Sequence, residues 1–186
     1  MPSPFSFLGR ALAGRRADER RSILHSPGLQ PAAGQSEKVT LTSPDFADGA
    51  PMPLATTAYD ANQSPALSWS GVPEGTAQLV LVMEDIDVPI RTPMVHTVAV
   101  LDAGVVAVER GQLATTAQRF LKGVVGKPGY HGPRPIVGHG AHRYRFHLYA
   151  LDTVLPESVS TVKELPAATA GHVLARGSVT GTFTRD

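Results

Sequence analysis

The hydrophobic pattern changes character along the chain. Leu79-Val80-Leu81-Val82-Met83 is apolar at every position, which predicts a central strand covered on both faces. Around it, Lys38 to Thr42, Leu67 to Trp69, Ala77 to Glu84, Val95 to Leu101, Arg143 to Leu151 and Thr180 to Thr184 read as strands separated by turn residues. Between Arg143 and Leu148, the residues Tyr144, Phe146 and Leu148 alternate with Arg143, Arg145 and His147, so one face of that strand should sit on a core. From Leu165 to Ala175, alanines with Val173 and Leu174 predict a helix opening at Pro166 and closing at Gly177. The expected fold class is mainly β, with few helices.

The first 36 residues follow a different pattern. Ser3-Pro4 makes a helix start, and Phe5, Leu8 and Leu12 fall on one face at helical spacing. Arg10, Arg15, Arg16, Arg20 and Arg21 outnumber Asp18 and Glu19 in this stretch. A short basic amphipathic helix can lie on an anionic membrane, dock on a partner or fold back on its own domain. Ser26-Pro27-Gly28 through Gln35 has the composition of a linker. The expected organisation is a basic extension over 1–36 and a compact β-sandwich domain over 37–186. No apolar run approaches the roughly 18 to 20 residues of a membrane span, and no secretory leader is visible. A cytoplasmic location is the resulting expectation, with peripheral membrane contact through the basic extension left open.

Composition narrows the function classes. A chain of 186 residues fits one domain, and 42% hydrophobic against 18% charged residues excludes global disorder. Seventeen Lys and Arg against sixteen Asp and Glu leave no broad positive footprint for nucleic acid. The lack of cysteine removes disulfides, thiolate nucleophiles and cysteine-ligated metal centres. Gly 18 and Pro 16 suit short strands joined by many turns.

Three stretches carry candidate chemistry. Glu84-Asp85-Ile86-Asp87-Val88-Pro89 stands at the exit of the apolar strand, and carboxylates at i and i+2 of an extended chain share a face. Such a pair is costly unless cations or donors relieve it, although an isolated D-x-D also serves as a polar strand exit. His96 opens the next strand, where a neighbouring carboxylate would fix its tautomer and leave the second ring nitrogen free to donate to an anion. The bland alternative is a structural histidine. Gly129-Tyr130-His131-Gly132-Pro133-Arg134-Pro135 combines close-approach glycines, stiffening prolines and a phenolic donor, as needed to hold a small polar head. Arg143 beside a carboxylate would be a structural tie. His139-x-x-His142 has ligand spacing but no third ligand at a recognisable distance, so no metal is expected.

Taken in order, Asp85-x-Asp87-x-Pro89, His96, Tyr130-x-Gly132-Pro133-x-Pro135 and Gly140-x-His142-Arg143-Tyr144 resemble the phosphatidylethanolamine-binding protein family, in its bacterial Raf-kinase-inhibitor-like branch. The likeness runs over roughly residues 38 to 185. It implies a Greek-key β-sandwich with a few peripheral helices and a small cavity that accepts phosphate-like groups, including phospholipid heads. It implies ligand contacts at Asp85, His96, Tyr130 and Gly132, and a rim braced by Asp87, Pro89, Pro133, His142 and Arg143, with an Asp87–Arg143 ion pair and a cis Pro89. Ile86 and Thr97 depart from the family pattern, where proline and tryptophan are usual. No catalytic residue is assigned: there is no Gly-x-Ser-x-Gly elbow, and Ser64 precedes a proline in what reads as a buried turn. The expected function is therefore a binding protein for a small anion or phospholipid head group, without a cofactor. The alternatives are an interaction protein that inhibits a kinase or protease through the pocket rim and, last, a small hydrolase. Pairing as a homodimer, with exchange of the N-terminal segment, is compatible with the same scaffold.

Overall fold

The computed structural model describes residues 4–31 and 38–185, with side chains from position 7 onward. Ser3, the Phe5 side chain and the segment 32–37, which holds the expected domain boundary, lie outside the described residues. Among the described residues, β1 (Thr40–Thr42), β2 (Leu67–Ser70) and β5 (Ala107–Val108) form one antiparallel sheet in the order β1-β2-β5. The larger antiparallel sheet holds β3 (Gln78–Asp85), β4 (Met94–Asp102), β6 (Arg119–Leu121), β7 (His142–Leu151) and β8 (Val173–Phe183), in the order β6-β4-β3-β7-β8. After β6 the chain returns to place β7 beside β3, the Greek-key arrangement. The helices are short: α1 (Pro4–Leu12), α2 (Leu113–Thr116) and α3 (Leu165–Ala168).

The unbroken apolar block has a direct structural reason. Every residue of β3 is buried, because Leu79, Leu81 and Met83 enter the core between the sheets while Val80 and Val82 enter a second core on the outer face of the larger sheet. The alternation in β7 divides the same way: Tyr144, Phe146 and Leu148 join the inter-sheet core. The opposite face is covered from His147 onward, and His147 has no exposed surface, whereas Arg143 at the strand's start is exposed.

Two expectations need correction. The late helix ends at Ala168, and Val173 to Gly177 belong to β8. From Val173 onward the buried positions alternate, and a Cβ on Gly177 would stand 2.1 Å from the Val39 carbonyl oxygen. Gly177 is therefore a close-approach residue inside a strand, not a helix stop. Residues 26–31, read as linker, are packed structure: Leu29 is fully buried in the outer core beside Val80, Val82, Tyr149 and Val173. The Thr169 hydroxyl donates to the Gly28 carbonyl at 2.7 Å, and the Arg176 guanidinium donates to the Leu24 carbonyl at 2.8 Å. Residues 15–31 thus form a strap across the outer face of the larger sheet.

Candidate functional site

A cavity of about 260 Å³ opens at the end of the sandwich where β3 exits and β4 and β7 begin. Asp85, His96, His142 and Arg134 are its polar lining, and Val88, Pro89, Ile90, Met94, Val125 and Ile136 are its apolar walls. The strand alternation that sends Leu79, Leu81 and Met83 inward carries Asp85 to the same side, opposite Tyr144 of β7. His96 reaches that side by a different device. Met83 pairs with Thr97 but Glu84 pairs with Val95, so His96 is the extra residue of a β-bulge. A bulge breaks the period-two rule and re-aims one side chain, and here it frees His96 from the ladder at the cavity edge.

Each polar group is held by named partners. Asp85 Oδ2 accepts from His142 Nδ1 at 2.8 Å, and its Oδ1 accepts from the Asp87 backbone N–H at 2.9 Å. His96 Nδ1 donates to the His131 carbonyl oxygen at 3.1 Å, not to a carboxylate. That bond places the proton on Nδ1 of the neutral ring, so Nε2 offers a lone pair and becomes a donor only when the ring is protonated. Burial pushes the His96 pKa below its ordinary value, and the nearby Asp85 charge opposes this without cancelling it. Thr97 Oγ1 accepts from the His131 N–H at 3.1 Å, so the side chain standing where the family has tryptophan ties down the loop that orients His96.

Asp87 and Arg143 form a bidentate pair, with Arg143 Nε donating to Asp87 Oδ2 at 2.8 Å and Nη2 to Oδ1 at 2.9 Å. The Arg143 backbone N–H also donates to Asp87 Oδ2 at 2.8 Å. Burial pushes the Asp87 carboxyl up, but the hydrogen bonds and charge of Arg143, with the charge of Arg16, outweigh it and hold the carboxyl below its usual range. Pro89 lines the cavity on a trans peptide, contrary to the cis expectation, since no described peptide bond is cis. The turn is already made by ordinary contacts: Ile86 N–H donates to the Arg143 carbonyl, Asp87 N–H donates to Asp85, and the Ile86 side chain is fully buried. Nothing in that arrangement offsets the cost of a cis bond.

Tyr130 and Gly132 are placed apart from the cavity lining. The Tyr130 hydroxyl donates to the Thr56 carbonyl at 2.8 Å, and its ring packs against the inter-sheet core. Burial raises the Tyr130 pKa far above the ordinary phenol value. Gly132 donates its N–H to Asn62 Oδ1, and a Cβ there would stand 2.1 Å from the Thr56 carbonyl oxygen. Both residues anchor the loop to the 56–62 segment. Pro133 does the same, its carbonyl accepting from the Ala58 N–H. Arg134 supplies the lining cation of this loop, a role hidden in Gly-Pro-Arg-Pro because every residue there also reads as turn chemistry. His139 Nδ1 and His142 Nε2 are 2.6 Å apart, a hydrogen-bond contact rather than two ligands spaced around an ion at about 2.0–2.1 Å from each. None of the lining side chains carries a hydroxyl or thiol, and Ser64 Oγ is buried, accepting from the Leu113 N–H.

Comparison with known proteins follows the same outline. Residues 42–184 match the family described as phosphatidylethanolamine-binding protein. A UPF0098 protein of Chlamydia muridarum is 36% identical over 154 residues, covering 78% of this chain and 99% of the relative. A UPF0098 protein of Mycobacterium bovis is 39% identical over 155 residues, covering 77% and 72% respectively. Among solved structures, the phosphatidylethanolamine-binding protein homolog CT736 of Chlamydia trachomatis superposes with a TM-score of 0.74 at 32% identity, covering 81% of this chain and all of that one. YbcL of E. coli shares the fold, with a TM-score of 0.71 at 23% identity over 80% of this chain and 99% of that one. No described helix is long and apolar enough to cross a membrane.

Proposed function

This chain belongs to the phosphatidylethanolamine-binding protein family, and from that premise we propose that its cavity captures a small anionic head group, of a phosphate monoester or of a phospholipid, without turning it over. The supporting observation is the cavity itself: the buried His96 and Asp85 in its lining, with Arg134 beside them and apolar walls around. The apolar walls exclude water and strengthen each polar contact made inside. His96 presents a lone pair while neutral, so it recruits an anion only after taking a proton on Nε2. Asp85 repels a dianion and favours a ligand or a ring that carries a proton. Affinity should therefore rise as pH falls through the depressed His96 titration.

Calorimetric titration with inorganic phosphate and with phosphoethanolamine, above and below that titration, tests the reading in wild type and His96→Ala. Loss of a charge-assisted hydrogen bond should weaken binding at the lower pH by about tenfold or more, and the pH dependence should disappear. Equal affinity in the two proteins would remove His96 from the site. Flotation with vesicles separates a lipid head from a soluble phosphate. A second reading, docking of a protein partner on the rim, is favoured by Ile90, which lines the cavity and is 52% exposed. Competition between phosphate and such a partner would place both on the same surface.

A further inference from the structure

Helix α1 meets the domain through a glycine and turns its large apolar side chains outward. Gly9 is buried and Leu12 half-buried, whereas Phe7, Leu8, Arg10 and Ala11 are exposed. Phe7 is 78% exposed and Leu8 50%. A Cβ on Gly9 would stand 1.9 Å from the Val137 carbonyl oxygen and 2.9 Å from the His139 backbone nitrogen, so the helix lies directly on that stretch of chain. Phe7 and Ala11 stand two positions either side of Gly9, about 200° round the helix, and share its far face. An amphipathic helix folded back on its own domain buries its apolar stripe. Here Phe7 and Leu8 are left outside, adjacent to one another.

The surroundings of the helix say what that face fits. Val137, beneath Gly9, follows Ile136, which lines the cavity; Ile90, another lining residue, is 52% exposed. The Asp18 N–H donates to the Arg91 carbonyl at 3.1 Å, tying the start of the strap to the same edge. Charge there is one-sided. No Asp or Glu precedes Asp18 in the chain. Arg10, Arg15, Arg91 and Arg134 are exposed and form no ion pair among the described residues. The acids of the adjoining segments are already taken: Asp87 by Arg143 and Arg16, Asp18 by Arg20, and Glu19 by Arg143 and Arg145. Exposed apolar side chains flanked by uncompensated guanidinium groups are the complement of an anionic bilayer surface, where the former leave water and the latter meet lipid phosphates.

We propose that α1 is an interfacial anchor: Phe7 and Leu8 enter the head-group region of an anionic bilayer, Arg10 and Arg15 lie on its surface, and the cavity is thereby held beside the lipid. That the cavity then takes its head group from this bilayer rests on the anion-binding reading above; the docking itself does not. Two apolar side chains on a nine-residue helix give a weak partition on their own, so the arginines make binding depend on lipid charge.

The test is flotation of the full-length chain with vesicles of phosphatidylcholine alone and of phosphatidylcholine mixed with phosphatidylglycerol. Wild type should float with the anionic vesicles and stay behind with the neutral ones. Phe7→Ser combined with Leu8→Ser should weaken the anionic partition by about tenfold or more, because two apolar side chains no longer leave water. Arg10→Gln combined with Arg15→Gln should weaken it by about fivefold per arginine, and added salt should erase that difference. Phe7→Trp keeps the anchor, so it should float like wild type and shift its indole emission to the blue only with anionic vesicles, against the constant background of the buried Trp69. Equal flotation by wild type and the double serine variant, or none by wild type, would overturn the docking. So would a wild-type dimer in sedimentation equilibrium that the double serine variant dissolves, since a second copy would then cover the face. Calorimetry with inorganic phosphate in wild type and His96→Ala reads the cavity on its own. Phosphate binding without flotation removes the anchor and keeps the head-group reading, and flotation without phosphate binding does the reverse.

Discussion

The sharpest test of the strap's place in the fold is Leu29→Ala. Leu29 has no exposed surface and packs in the outer core with Val80, Val82, Tyr149 and Val173. Ile23 packs partly buried against the same core, and the strap's remaining named attachments are polar. Arg16–Asp87 and Glu19–Arg145 are ion pairs with side chains 35% and 43% exposed on the strap side, and such pairs contribute about 0 to 1 kcal/mol each. Ser22 Oγ and the Ile23 N–H both donate to Glu84, at 2.5 and 3.0 Å, at about 1 kcal/mol or somewhat more each. A buried leucine truncated to alanine loses about 3 kcal/mol or more, as transfer energy plus the residual cavity. Leu29 is therefore the largest single anchor, and its loss should fall first on local opening of residues 22–30, by roughly a hundredfold in the opening equilibrium. Hydrogen exchange read by mass spectrometry measures that factor directly, while urea unfolding measures how much of it reaches the global transition. A strap whose exchange is unchanged in Leu29→Ala, with global stability within about 1 kcal/mol of wild type, would mean the segment is held by its polar contacts, and the ranking above would be wrong.

Asp87→Asn should cost about 1 to 2 kcal/mol, less than a fully buried charge pair because the Arg143 side chain is 44% exposed. Since the folded Asp87 pKa is lowered, its contribution is fully present above the unfolded value of about 3.9 and is lost as pH falls through the lower folded value. Urea unfolding between neutral and strongly acid pH should show a shallower acid slope in Asp87→Asn, and identical slopes would argue against the assignment. Tyr149→Phe should be neutral or stabilising by up to about 1 kcal/mol, because the buried Tyr149 hydroxyl has no hydrogen-bond partner among the described residues. A thermal melt showing a loss of more than that would reveal a partner for the hydroxyl.

How much of this was legible depends on the length scale of the signal. The five-residue apolar block announced a strand buried on both faces because both its neighbours, β4 and β7, and both its cores are required to satisfy it. The carboxylate at its end was legible for the same reason, since Asp85 inherits the alternation of Leu79, Leu81 and Met83. The bulge at His96 was not, because one unpaired residue leaves no trace in composition and yet decides which face a side chain reaches. Tyr130 shows the opposite ambiguity. A phenol among glycines reads as a ligand donor, but the same chemistry serves a loop that must satisfy the Thr56 carbonyl. Ser-Pro-Gly reads as linker by composition, and Leu29 just after it carries the contrary information, since its burial helps to pin a segment whose backbone makes single 3-10 turns. Arg16 and His139, 123 positions apart, meet only because the strap crosses the sheet that β7 belongs to. A basic cluster near the N-terminus signals charge; that Arg16 is the member reaching His139 and Asp87 is settled by the path of the strap, which Leu29 and Ser22 help to pin to the sheet.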